Sequence, residues 1–300
     1  MSLVSCVRVH DTNSKYLITA IHRSLDLISF DFDRAIKKVV IKPNLCYYSD
    51  YSTGRTTNPL FVSAIIDILR EHISSDVEVS IVESDATAMK CRYAFRFLGY
   101  EKMAKEKQVA LVNLTADEFK EIQVNTAKKQ FRFKLPETIA RADLLINVPV
   151  PKLHDLTKIT CALKNVYGCN PYPRKVRLHP YLDDAIVCLN KVMKFDLCLV
   201  DATIVLGITP AKLGLVIASR DPVATDVVVS EIMGVNPTKV RHIMLAFKEG
   251  VGNIRFTIRG DRLPISKKRV LRGNRASQIR RFVYSKIMRP IYYFYFKPVE

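Results

Sequence analysis

Short apolar runs and amphipathic stretches alternate along the first 254 residues. Val4 to Val9 and Lys38 to Ile41 predict strands, with a helical segment from about Ser14 to Leu27 between them. Asn58 and Pro59 suit the N-cap and first position of a helix running through Leu69, where Phe61, Ile65, Ile68 and Leu69 share one face. Val77 to Val82 predicts a further strand, and 89–106 a helix. Leu144 to Val148, Cys198 to Val200 and Leu215 to Ala218 are short apolar strands. Strands alternating with helices predict an α/β fold with a mainly parallel, doubly wound sheet. Residues 121–136 differ, because EIQVNTAKKQFRFKLP reads as a hairpin turning near Thr126 and Ala127, an antiparallel addition at a sheet edge.

Open parallel sheets bind ligands in the crevice beyond the strand carboxyl ends. Lys42 and Asn44 follow the second strand, and Glu83 and Asp85 the Val77 to Val82 strand. Leu144 to Val148 empties past Pro149 and Pro151 into Lys152, His154, Asp155, Lys158, Lys164 and Asn165. Asp201 follows Cys198 to Val200, and Arg220 and Asp221 follow Leu215 to Ala218. Lysines, carboxylates, amides and a histidine on one edge can bind an anionic substrate and also move protons.

The expected roles follow from residue type. His154 is the acid–base candidate, since histidine titrates near neutrality; His179 is a second. Lys152 and Lys164 either neutralise a phosphate or carboxylate or supply a partly desolvated amine. Lys164, inside the apolar segment ITCALKNVYG, is the first choice for a functional lysine. Lys42, Asn58 and Asn165 are further anion-binding candidates. Asn44 serves either a ligand oxygen or a turn, and Asn58 either an N-cap or an anion at a helix N-terminus. Asp201 is placed with the catalytic groups. Asp221 is read first as an N-cap, whereas Asp226 sits on an otherwise apolar face. Asp85 and Asp226, with Glu83 and Asp201 in reserve, could hold a divalent metal such as magnesium, which prefers oxygen ligands. HExxH, a Walker lysine loop, GxGxxG after the first strand and GxSxG are all absent, so standard zinc-protease, nucleotide and serine-hydrolase chemistries have no support.

IKPNL (Ile41 to Leu45), TNP (Thr57 to Pro59), VPKLH (Val150 to His154), ITCALKNVYG (Ile159 to Gly168) and ASRDPVATD (Ala218 to Asp226) occur here in an order that resembles domain-of-unknown-function family 362. The resemblance runs from about Lys42 to Asn253 and implies no general reaction. ITCALKNVYG is also loosely similar to a motif of the nickel-pincer lactate racemases, where a lysine anchors the cofactor. Many members of family 362 carry a ferredoxin-like cysteine cluster. The seven cysteines here form no CxxC pair, so no iron–sulfur cluster is expected.

Charge divides the chain. Residues 255–300 hold 13 Lys/Arg against Asp261 and Glu300, a net of +11 out of +18, whereas the first 254 residues hold 34 basic and 27 acidic side chains. The expected organisation is therefore a folded body over 1–254 and a basic appendage over 255–300. A helix from Asn274 to about Met288, followed by IYYFYF, suits an anionic membrane surface through 272–297, or nucleic acid, or packing back on the body. With neither a disulfide framework nor a signal-peptide pattern, the expected location is cytoplasmic, with a peripheral membrane position open. The resulting expectation is an α/β enzyme for a small anionic substrate. The alternative is a non-catalytic nucleic-acid-binding protein using its basic end.

Overall fold

The computed structural model describes residues 1–261. The chain opens with β1 (Ser2–Arg8), α1 (Ser14–Leu27), β2 (Lys38–Pro43), α2 (Pro59–His72) and β3 (Glu78–Glu83). Then come α3 (Cys91–Phe97), α4 (Tyr100–Glu106), β4 (Ala110–Asn113), β5 (Phe119–Asn125), β6 (Gln130–Pro136) and α5 (Glu137–Ala140). The next segment holds β7 (Leu144–Val148), β8 (Lys152–His154), β9 (Lys158–Thr160), α6 (Ala162–Val166) and α7 (Leu182–Val192). It closes with β10 (Leu197–Leu206), β11 (Pro210–Ser219), α8 (Pro222–Ile232), α9 (Arg241–Lys248) and β12 (Phe256–Gly260).

One large sheet has the order β12-β1-β11-β10-β7-β2-β3-β4. Pairings are parallel from β10 through β7, β2 and β3 to β4, and again between β1 and β12. Only β11 on this path runs the other way, antiparallel to both β10 and β1. Alternate residues of each strand feed opposite layers, as the two-residue period of a strand requires. Val39 and Ile41 face the core under α1 and α2, while Val40 faces the core under α6, α7 and α8.

Four expectations need correction. β11 carries its carboxyl end to the start of β10, with Ser219 opposite Cys198, so Arg220 and Asp221 lie at the edge away from Lys42 and Lys152. The hairpin β5–β6 forms its own two-stranded sheet, and Phe133, Phe131 and Ile122 pack it on the core that includes α7, because its apolar face has more to bury there than at a strand edge. The helix expected over 89–106 is broken into α3 and α4 at Gly99, whose φ of 80° is readily available only to glycine. The folded body also extends past Ile254, because β12 pairs in parallel with β1 and so belongs to the sheet. The helix and aromatic run expected over 272–297 lie outside the described residues. No helix among the described residues is long and apolar enough to cross a membrane.

Candidate functional site

The carboxyl ends of β2 and β7 meet α6 through a chain of amides. Asn147, near the end of β7, donates to the Ala162 carbonyl at 2.9 Å, and its oxygen accepts from Asn165 Nδ2 at 2.8 Å. Asn165 Nδ2 also donates to the Lys42 carbonyl at 3.1 Å, and its oxygen accepts from Asn44 Nδ2 at 2.7 Å. Asn44 Oδ1 in turn accepts from Lys152 Nζ. These partners leave each amide one consistent orientation, so Asn44 and Asn165 fasten α6 to the sheet.

Lys42 does not offer a free charge. It is fully buried, and its ammonium meets Glu83 Oε2 at 2.7 Å and the Pro43 carbonyl at 2.6 Å. Glu83 also accepts from the Leu45 and Ser84 amides, so this pair forms part of the floor. Gly168 lies directly over it. A Cβ there would stand 3.0 Å from Lys42 Nζ and 3.2 Å from Glu83 Oε1.

Three other lysines gather at this edge, and none of them hydrogen-bonds a carboxylate among the described residues. Lys152 donates to Asn44, to Cys46 Sγ at 3.3 Å and to the Arg55 carbonyl at 2.8 Å, all neutral acceptors. Lys175 is buried and donates to Ser84 Oγ, to the Asp85 carbonyl at 2.9 Å and to the Gly168 carbonyl at 3.4 Å. Lys164 is half-buried, makes no hydrogen bond among the described residues, and lies 5.9 Å from the Tyr167 ring centroid. The Tyr167 hydroxyl holds the Lys175 carbonyl at 2.7 Å. Burial, reinforced by Lys152 and Lys175, pushes the Lys164 pKa down to about 8. Burial lowers Lys175 to about 8 as well, although Glu83 partly opposes it. Sequence reasoning missed Lys175, since RKVRLHP reads as a solvated basic run.

His154 does not titrate near neutrality. Burial first, then Lys164, Lys152, His179 and His242, push its pKa down to about 2. Its Nδ1 accepts from the Leu156 and Thr157 amides at 3.2 Å each, which assigns the proton of the neutral ring to Nε2. His179 thus bears on this site by opposing protonation of His154. Lys158 points elsewhere, donating to the Lys239 carbonyl at 2.6 Å.

The carboxylates are committed to the frame. Asp201 is buried in β10; its oxygens accept from the Asn58 amide at 3.0 Å and the Thr203 hydroxyl at 2.6 Å. Burial raises its pKa, against the lowering effect of those hydrogen bonds. Asn58 caps α2 through the Leu60 amide at 2.9 Å, yet its buried Nδ2 has no partner among the described residues; the same is true of Asn170 Nδ2. Asp85 meets Lys90 at 2.8 Å and the Cys91 amide at 2.9 Å. Burial works against ionisation of Asp85, but Lys90, the Cys91 amide and Asn113 hold its pKa below the ordinary value. Asp226, reaching from α8, accepts from the Ala162 and Leu163 amides at 2.7 and 3.2 Å and so caps the start of α6. Asp85 and Asp226 thus hold different elements, the start of α3 and the start of α6.

Buried His242 stands behind this cap, with Nε2 3.8 Å from Asp226 and Nδ1 3.6 Å from Asp183. Burial disfavours its charge, but the two carboxylates outweigh that and raise its pKa. Two surface hollows, of about 280 and 310 Å³, lie away from these lysines. One opens at the amino ends of β2 and β3 beside Lys38, Glu78 and Arg141; the other holds Ser2, Ser219, Arg220 and Asp221.

The residues that supply the amide chain and all three lysines fall inside residues 39–231, which match the model of a domain of unknown function, DUF362. The chain belongs to this family. Among curated proteins it is 24% identical over 217 residues to a thylakoid-associated protein of Synechocystis sp., covering 68% of this chain and 65% of the relative. Among solved structures it is similar to the lactate racemase apoprotein of Thermoanaerobacterium thermosaccharolyticum, with 14% identity, a TM-score of 0.43, and coverage of 72% of this chain and 54% of the other. A Thermotoga maritima protein aligns with 12% identity and a TM-score of 0.42, covering 67% of this chain and 54% of that one. The chain therefore spans just under two thirds of its curated relative and about half of each solved structure.

Proposed function

We propose that this member of the DUF362 family binds a small phosphate- or carboxylate-bearing ligand over the carboxyl ends of β2, β3 and β7 and acts on it as an enzyme. The observation that carries the reading is the absence of a carboxylate partner for Lys152, Lys164 and Lys175 among the described residues, while the fourth lysine, Lys42, has one. Gathering three cations in a partly desolvated place is costly unless a ligand supplies the opposite charge. Lys152 and Lys175, with their positions set by neutral acceptors, provide field. Lys164 is the group with uncommitted donors, and a pKa of about 8 lets it give or take a proton near neutrality. His154, held neutral, donates from Nε2 rather than serving as the base expected from its residue type. Asp201, Asp85 and Asp226 orient the walls through backbone amides.

The test is calorimetric titration of the full chain with inorganic phosphate and a panel of di- and tricarboxylates. At least one should bind, and Lys164→Met should weaken it by about tenfold or more, the loss of one charge-assisted contact. If no anion binds, or if Lys164→Met binds as wild type does, the reading fails.

The charge of 255–300 supports a second reading, peripheral attachment to an anionic membrane through 272–297, each basic group contributing about 1 kcal/mol near such a surface. The Synechocystis relative is described as thylakoid-associated, in keeping with this. Flotation with anionic but not neutral liposomes, lost on removing 272–297, is the expected result. Salt-sensitive retention on RNA without flotation would favour nucleic acid instead.

A further inference from the structure

Away from the lysines, His22 on α1 and Glu71 and His72 on α2 bring three ligand atoms within 4.8 Å of one another. His22 Nε2 and Glu71 Oε2 are 3.4 Å apart. That spacing is close to the ~3.3 Å edge of a tetrahedron whose corners stand about 2.0–2.1 Å from a zinc ion. The His22 and His72 rings approach to 5.0 Å between centroids and are tilted by 48°, so their nitrogens can converge without the rings clashing. Phe32 packs beside the His72 ring at 5.9 Å and restricts its swing.

We propose that His22, Glu71 and His72 form a site for a divalent first-row cation, zinc by preference, that clips α1 to α2. Two imidazoles and one carboxylate are the nitrogen–oxygen donor set that suits zinc, whereas magnesium takes oxygen ligands and retains water. A fourth position is left for water. Glu71 and His72 are the last two residues of α2, where unpaired carbonyls and the helix dipole favour positive charge. A lone His22–Glu71 contact would be an ordinary surface ion pair; the third donor, from a ring held against Phe32, makes the cluster a site. α2 begins at Asn58 beside Asp201, so its far end lies roughly 20 Å along the helix from that contact. The clip therefore stands apart from the proposed anion site.

The experiment is calorimetric titration of chelator-treated full-length protein with ZnCl₂, alongside thermal melting with ZnCl₂ or MgCl₂. One zinc per chain should bind and raise the melting temperature. His72→Ala and His22→Ala should each weaken binding by about tenfold or more and abolish the thermal shift. Both side chains are at least partly exposed, so circular dichroism should show both variants folded. Cys46→Ala guards against capture by the half-buried thiol and should bind zinc as wild type does. Equal zinc binding by wild type and His72→Ala, no binding at a hundredfold excess, loss of binding in Cys46→Ala, or an equal shift from MgCl₂ would overturn the site.

Discussion

Replacing Glu83 with glutamine removes the negative half of a buried pair while keeping its shape. Lys42 and Glu83 expose only 1% and 5% of their side chains, so water cannot take over the solvation of the ammonium. The Lys42 amine would keep the Pro43 carbonyl but lose its charged partner, and the Leu45 and Ser84 amides would lose a carboxylate acceptor. Breaking one side of a buried ion pair costs about 3–5 kcal/mol. For a chain of this size, about 2–4 °C per kcal/mol translates that into a fall of roughly 6–20 °C in melting temperature. Urea unfolding followed by circular dichroism should return the same free energy from the shift in midpoint. Adding Lys42→Met to Glu83→Gln should recover most of the loss, since the stranded charge is then gone. A penalty below about 1 kcal/mol for Glu83→Gln, or a double variant that shows no coupling, would refute the reasoning that the pair is buried and mutually dependent.

Three further outcomes are expected. Gly168→Ala should lower stability by about 1–3 kcal/mol in the same urea assay, because its methyl group would press on the fixed Lys42–Glu83 pair. Affinity for a dicarboxylate, which keeps its full charge over this range, should fall as pH rises through about 8, because Lys164 and Lys175 lose their protons there; calorimetry across pH 6.5–9.5 measures it, and a flat profile counts against the lysines. The depressed pKa of His154 makes its contribution full above about 6.5 and progressively lost as pH falls toward about 2, because the unfolded chain takes up a proton that the native state refuses. His154→Asn, which keeps an acceptor near Nδ1, should therefore flatten the acid side of the stability profile by up to about 1.4 kcal/mol per pH unit; an unchanged slope would remove His154 from that role.

Several elements are legible in the amino-acid sequence alone. The 3.6-residue spacing of Phe61, Ile65, Ile68 and Leu69, with Asn58 and Pro59 ahead of it, specifies the start and inward face of α2 through local chemistry. The same holds for Asp221, whose side chain accepts from the Val223 and Ala224 amides as an N-cap should. The polar edge beyond β2, β3 and β7 is readable because parallel strands must deliver their ends together. The reversed direction of β11 is not. Its apolar core, Leu215 to Ala218, carries no mark of orientation. Only the apolar centres of the two ten-residue strands β10 and β11 stand out along the chain, which hides the short link from Leu206 to Pro210 that dictates antiparallel pairing.

The roles of the charged residues are decided in three dimensions. By sequence alone Lys42, Lys152, Lys164 and Lys175 are four lysines; folding pairs one with Glu83, anchors two on neutral acceptors and leaves Lys164 without a hydrogen-bond partner among the described residues. Asp226 and His242 are 16 positions apart, yet both serve the start of α6 because α8 and α9 pack behind it. Local propensity and hydrophobic period belong to neighbouring residues and can be read along the chain. Desolvation and ion pairing depend on which distant groups share a small volume, and for His154, Lys42 and Lys175 only the packed sheet and its helices determine that.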